Sequence, residues 1–179
     1  MDQQTVAPPP STNTRRPRDM VLSMAVLLVP VLIIVLIYRV VQGGDQPVKV
    51  DTAPALDQAR SVGAFPVSEP SGLDDGWRPI SATFQTADGG KVLRIGYVTP
   101  SGAGVQLVQS DVPAERLLPA ELTGSGQPRG ATDIAGQSWQ RYTARPGEQA
   151  LVLLQPDRTV IVVGSAEETE LRILATAVT

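Results

Sequence analysis

Residues 150–178 read ALVLLQPDRTVIVVGSAEETELRILATAV, and the fold is decided there. Ala150 to Leu154 and Thr159 to Val163 are two almost wholly apolar runs, joined by Gln155-Pro156-Asp157-Arg158 as a turn. Strands with apolar side chains on both faces need cover on both faces, so this pair belongs in the middle of a sheet. Gly164 ends the second run. Ser165 and Glu168 then stand in the S-x-x-E arrangement of a capping box, in which hydroxyl and carboxylate satisfy two free N–H groups at a helix start. Leu171, Leu174, Ala175 and Val178 follow at i, i+3, i+4 and i+7, a single apolar stripe turned toward the sheet. Glu167, Glu168 and Glu170 fall in the first turns, where the helix dipole favours negative charge, so the acidic cluster reads as a helix start and not as a metal site.

Working outward, Ser138 to Thr143 alternates around Trp139 and Arg141 on one face and Tyr142 on the other, and Arg145-Pro146-Gly147-Glu148 turns the chain. Nearer the N-terminus the period of two returns. Ile80, Ala82 and Phe84 alternate with polar residues, as do Leu93, Ile95 and Tyr97, and Ala87-Asp88-Gly89-Gly90 between them predicts a β-hairpin. A turn over Pro100–Gly104 leads to a third strand from Val105 to Gln109. A short helix is expected next, with Pro113 near its start, Leu117-Leu118 as its apolar contact and Pro119 closing it; Thr123 to Gly130 reads as a flexible loop. The fold class is α+β: an antiparallel sheet of about six strands packed against helices, over residues 77–179. Residues 42–76 read as a linker, with a possible strand over Val48–Val50 and a short helix starting at Thr52-Ala53-Pro54, striped by Leu56, Ala59 and Val62.

Met20 to Tyr38 is of another kind: MVLSMAVLLVPVLIIVLIY carries no charge, with Ser23 and Pro30 its only interruptions. At about 1.5 Å per residue it reaches roughly 28 Å as a helix, close to the hydrocarbon thickness of a bilayer. A transmembrane helix over residues 20–41 follows, with the lipid bilayer as its partner and Pro30 tolerated within it. The apolar core is longer than that of a cleaved leader and no small-x-small site follows closely, so it reads as an uncleaved signal anchor. Arg15, Arg16 and Arg18 precede it while Arg39 and Lys49 follow, which favours a cytoplasmic N-terminus and an extracytoplasmic domain. Residues 1–19, with Pro8-Pro9-Pro10, form a disordered cytoplasmic tail by composition. Residues 1–44 hold four basic and two acidic groups, leaving eleven basic and sixteen acidic beyond them. A domain with a net charge of −5 repels nucleic acid and anionic headgroups.

The chain has neither cysteine nor histidine. That removes disulfides, thiol nucleophiles, thiolate zinc sites and the Ser-His-Asp triad. Asp74-Asp75 are neighbours in a D-D-G turn, not carboxylates facing across a bond. Asp88-Gly89-Gly90 lacks the spaced acids of a calcium loop and the G-K-[ST] ending of a phosphate loop; Gly124-Ser125-Gly126 lacks the strand and helix of a dinucleotide site. A serine–lysine dyad has only Lys49 and Lys91 to draw on. Trp77 and Trp139 read as core, or as an aromatic platform. Arg94 and Arg141 fit an anion site or an exposed sheet face equally. No catalytic, cofactor-binding or metal residue is assigned, no cofactor is expected, and no enzymatic activity.

Several short segments stand in a familiar order: Val50-Asp51-Thr52, Gly76-Trp77-Arg78-Pro79-Ile80-Ser81, Tyr97-Val98-Thr99-Pro100, Gly136-Gln137-Ser138-Trp139 and Val162-Val163-Gly164-Ser165-Ala166. With the N-terminal apolar helix, this resembles an actinobacterial family of membrane-anchored proteins known only as domain of unknown function 4245. The resemblance implies the same topology and a Gram-positive cell envelope, and carries no catalytic residues. The expected function is a non-catalytic binding domain held at the membrane, with an envelope protein as partner. The alternatives are a domain that binds a lipid or small apolar ligand and, behind it, a hydrolase using carboxylates or Ser/Lys.

Overall fold

The computed structural model describes residues 17–41, 49–123 and 126–179, in two compact units, Met1–Gln46 and Pro47–Thr179. The first holds α1 (Pro17–Val41), a helix of 25 residues that opens on proline and carries Pro30 inside it. Its described side chains run from 21 to 37 and all are exposed. Among the described residues no helix is long and apolar enough to cross a membrane. Of the tail expected to be disordered over residues 1–19, residues 17–19 instead form the first turn of α1, and residues 1–16 lie outside the described residues, as does the segment 42–48.

The second unit contains α2 (Ala53–Val62), β1 (Arg78–Ala87), β2 (Gly90–Val98), β3 (Gly104–Ser110), α3 (Ala114–Glu121), β4 (Pro128–Ile134), β5 (Gln137–Thr143), β6 (Gln149–Leu154), β7 (Thr159–Gly164) and α4 (Glu168–Ala177). It is an α+β unit built on one antiparallel sheet in the order β1-β2-β3-β7-β6-β5-β4. The two apolar runs occupy β6 and β7, and β7 is the middle strand, buried at all six positions. Leu107, Val162 and Leu151 line up across β3, β7 and β6, with Val108, Ile161 and Val152 beside them in register. The first three join a core that takes in Leu56 and Ala59 of α2 and Leu171, Leu174 and Ala175 of α4. The second three belong to a separate core closed by Leu117 of α3 and by Leu122. Both faces of the sheet are thus covered, as its apolar strands require.

The sheet has seven strands where about six are expected. The additional one, β4, starts at Pro128 inside the stretch read as a flexible loop, of which Gly124 and Ser125 lie outside the described residues. It is an edge strand with only Ile134 fully buried, so no apolar alternation marks it. Its hairpin to β5 turns on Ala135 and Gly136, with φ of 53° and 78°, the paired positive values of a two-residue turn.

Three further expectations are corrected. Pro119 does not close α3: the helix runs through it to Glu121, and the Leu122 N–H still reaches the Leu118 carbonyl at 2.8 Å. Ser165 does not cap α4, which starts at Glu168 with Glu167 as its N-cap and no side-chain cap bond. The Ser165 N–H instead donates to the Gly104 carbonyl at 3.0 Å, prolonging the β3–β7 pairing and delaying the helix. The helix expected in a linker is part of the folded unit. It starts where expected, but Ala55 joins Leu56 and Ala59 in the core while Val62 is 49% exposed.

Candidate functional site

The candidate groups for catalysis are engaged separately. Asp74 Oδ1 accepts the Gly76 N–H at 2.8 Å and its carbonyl accepts from Trp77 N–H at 3.1 Å, so it shapes a turn while Asp75 stays exposed. Asp88 and Gly89, with φ of 48° and 81°, form the β1–β2 turn. Lys91 Nζ donates to Thr86 Oγ1 at 2.6 Å. The nearby Ser110 is fully buried; its hydroxyl donates to the Lys91 carbonyl at 2.8 Å and accepts from Val112 N–H at 2.9 Å. Trp77 and Trp139 are both core residues, Trp77 standing edge-on to Tyr97 with ring centres 6.3 Å apart, so they form no platform. Among the described residues no three acidic, histidine or cysteine groups are placed to hold a metal. In the acidic cluster of α4, Glu170 accepts from the Ser101 N–H at 3.2 Å and from its hydroxyl at 2.7 Å. Burial alone would raise the Glu170 carboxyl, but the hydrogen bonds from Ser101 and Thr99 together outweigh it and hold the group below the ordinary carboxylate range.

The two strand arginines part company. Arg94 on β2 binds Glu121 Oε1 through Nε at 3.0 Å and Nη2 at 2.5 Å, tying α3 to the sheet. Arg141 on β5 is poorly satisfied. Among the described residues its Nε is buried with no hydrogen-bond partner, Nη2 reaches the Arg129 carbonyl only at 3.4 Å, and Nη1 lies 3.7 Å from Glu168, too far to bond. A guanidinium presents five donors in a rigid fork suited to a carboxylate or phosphate. Arg141 has that fork largely unfilled.

Around Arg141 is a cleft of about 260 Å³ between the start of α4 and strands β4 to β6, lined by residues that include Arg129, Thr143, Gln149, Leu151, Glu168 and Leu171. Leu151 and Leu171 are each 1% exposed and supply an apolar floor; Gln149 is fixed by Nε2 donating to the Ala166 carbonyl at 3.2 Å. Arg172 steadies the α4 wall by donating to Thr132 Oγ1 at 2.6 Å and to the Asp133 carbonyl at 3.0 Å. Sequence reading singled out Arg141 but not Arg129, because the strand that carries Arg129 shows no periodicity.

The fold and this cleft define an α+β domain with a sheet covered on both faces and an arginine-lined recess at one end of its C-terminal helix. The chain belongs to the family described as "Protein of unknown function (DUF4245)", whose model matches residues 13–178, from before α1 to the C-cap of α4. No curated protein matches it.

Proposed function

We propose that this is a single-pass membrane protein of the actinobacterial cell envelope, anchored through residues 20–41, with a cytoplasmic N-terminus. Residues 47–179 would face outward as a non-catalytic binding domain for an envelope partner. The observation that carries the reading is α1. Its large apolar side chains stand uncovered from Val21, 68% exposed, to Ile37, 54% exposed. Each such side chain in water is unfavourable by roughly 25 cal/mol per Å² of apolar surface, a cost that a bilayer removes. The arginines before the helix and the acidic balance after it support the orientation. That acidity also disfavours nucleic acid as a partner.

The engagement of Lys91, Ser110 and Asp74 in structural bonds supports a non-catalytic role. An apolar ligand held between sheet and helices has less support, because Leu93, Leu107, Val160 and Leu174 fill that layer with no exposed surface. The test uses the native absence of cysteine. On intact cells an impermeant maleimide should label S125C and spare S11C, with both reacting after lysis. Labelling of S11C on intact cells, or of neither variant before lysis, overturns the topology.

A further inference from the structure

We propose that the cleft between α4 and strands β4 to β6 binds a small organic carboxylate. Its carboxylate would be taken by Arg129 and Arg141, with Leu151 and Leu171 closing the bottom of the cleft beneath it. The proposal rests on the reading of residues 47–179 as a binding domain and names what one of its sites takes.

The charge on offer is the first argument. Among the described residues the Arg129 side chain has no hydrogen bond or ion pair and is exposed, and its carbonyl receives the long bond from Arg141. Two guanidinium-bearing residues therefore meet at one place in a unit, residues 47–179, that holds eleven basic and fifteen acidic groups for a net charge of −4. Three other arginines of the domain, Arg158, Arg172 and Arg94, are better filled. Arg158 bonds Gln155, Gln109, Ser68 and Pro66, and Arg172 bonds Thr132 and Asp133. Arg94 also has a buried Nη1 with no partner among the described residues, but its Nη2 and Nε are held at 2.5 and 3.0 Å by Glu121.

Glu168 is the second argument. Its carboxylate lies 3.7 Å from Arg141 and 3.9 Å from Arg172, close enough to attract and too far to hydrogen-bond. A ligand carboxylate at about 2.8 Å makes charge-assisted bonds that this loose pair lacks, so it displaces Glu168 toward Arg172, one helical turn on. Glu168 is a built-in competitor with a removable charge.

Size and floor are the third. About 260 Å³ is smaller than the roughly 300–1,000 Å³ of drug-sized pockets, which suits a group the size of one residue and not a lipid chain. Leu151 and Leu171, each 1% exposed, close the bottom and leave room only for a small substituent beside the carboxylate, and the acidic domain around the cleft disfavours polyanions. Such a group is either a free short-chain acid or the C-terminal residue of a peptide.

The test is calorimetric titration of the full chain in detergent micelles with 3-methylbutanoate, N-acetylleucine, the amides of both, and inorganic phosphate. At least one acid should saturate while its amide does not. Saturation by both acids marks a free-acid site; saturation by N-acetylleucine alone marks a peptide C-terminus. R129Q and R141K should each weaken binding about tenfold or more, since each removes charge-assisted bonds. E168Q should tighten it several-fold, a gain that a merely structural Glu168 would not produce; R141K keeps the charge and guards against a variant that fails to fold. The proposal is overturned if neither acid binds more tightly than about 10 mM to wild type or E168Q. It is equally overturned if the amides or phosphate bind as well as the acids. Either failure leaves the maleimide result untouched, so the anchored reading and the ligand reading fall separately.

Discussion

The side-chain amide of Gln109 pairs with the backbone of Ser68 much as one strand pairs with another. The Ser68 N–H donates to Gln109 Oε1 at 2.8 Å, and Gln109 Nε2 donates to the Ser68 carbonyl at 2.6 Å. Gln109 has no exposed surface, yet three of its bonding positions are filled, the third by Arg158 Nη1 at 3.0 Å. Arg158 also reaches Ser68 Oγ at 3.0 Å and the Pro66 carbonyl, and its burial lowers its pKa below the usual arginine value. The irregular segment after α2, which brings Phe65 and Val67 to the core, is thus fastened by a side chain that imitates a peptide group.

Replacing Gln109 with leucine keeps the bulk and removes every bond. The Ser68 N–H and carbonyl are then left partly buried without partners, each costing about 1–3 kcal/mol. Q109L should destabilise the domain by roughly 2–4 kcal/mol in urea unfolding, with an unchanged denaturant slope. A loss under about 0.5 kcal/mol would show that Arg158 alone holds the segment.

Gly164, where β7 leaves the centre of the sheet, has no such freedom. A Cβ there would stand 2.2 Å from the Gly104 carbonyl oxygen and 2.8 Å from Val105 Cα, both backbone atoms with paired neighbours. G164A must part β3 from β7 locally, at a cost of about 1–3 kcal/mol or more. Gly96 is the control: the nearest atom to its Cβ is Ser81 Oγ at 2.5 Å, a side-chain end that can rotate away, so G96A should cost less by the same measurement.

These positions also mark what was readable in advance. The two apolar runs at 150–163 placed the sheet centre because their composition alone requires cover on two faces. The stripe Leu171, Leu174, Ala175, Val178 placed α4 for the same reason, and all four are buried. What escaped was decided by contacts distant in sequence. No periodicity betrays β4, whose edge position leaves it polar. Ser165 and Glu168 match a capping box, but the pull of Gly104 on Ser165 is a tertiary bond and overrides the local pattern. Arg129 entered the candidate cleft only once β4 existed, and Gln109 looks like one more polar strand residue until Ser68 is brought beside it.

Ion pairs in this domain should differ by burial more than by number. Arg94 and Glu121 have side chains 21% and 8% exposed, while Arg60 and Glu69 pair at 2.6 Å with 45% and 54% exposed. E121A strands a half-buried guanidinium that also has an orphan Nη1, and should cost about 1.5–3 kcal/mol. E69A loses a solvent-screened pair and should cost clearly less than E121A. Moderate salt should narrow the deficit of E69A and leave that of E121A nearly unchanged in parallel unfolding curves.

Tyr97 sets an alkaline limit. Burial first, and then the negative charge of Glu69, push its phenol up to about 12, above the ordinary value near 10. A raised pKa means that the folded state holds the proton more tightly than the unfolded chain. Its contribution is therefore complete below about pH 10 and is lost as pH rises through about 12, to a total of roughly 2–3 kcal/mol. Y97F cannot ionise, so it should lack this limb and gain on wild type across that window, whatever constant offset the lost hydroxyl introduces. Comparing the two variants cancels the other tyrosines and the lysines. A phenolate from Tyr97 appearing near pH 10 in the folded protein, read by ultraviolet absorbance against Y97F, would contradict the buried setting beside Trp77.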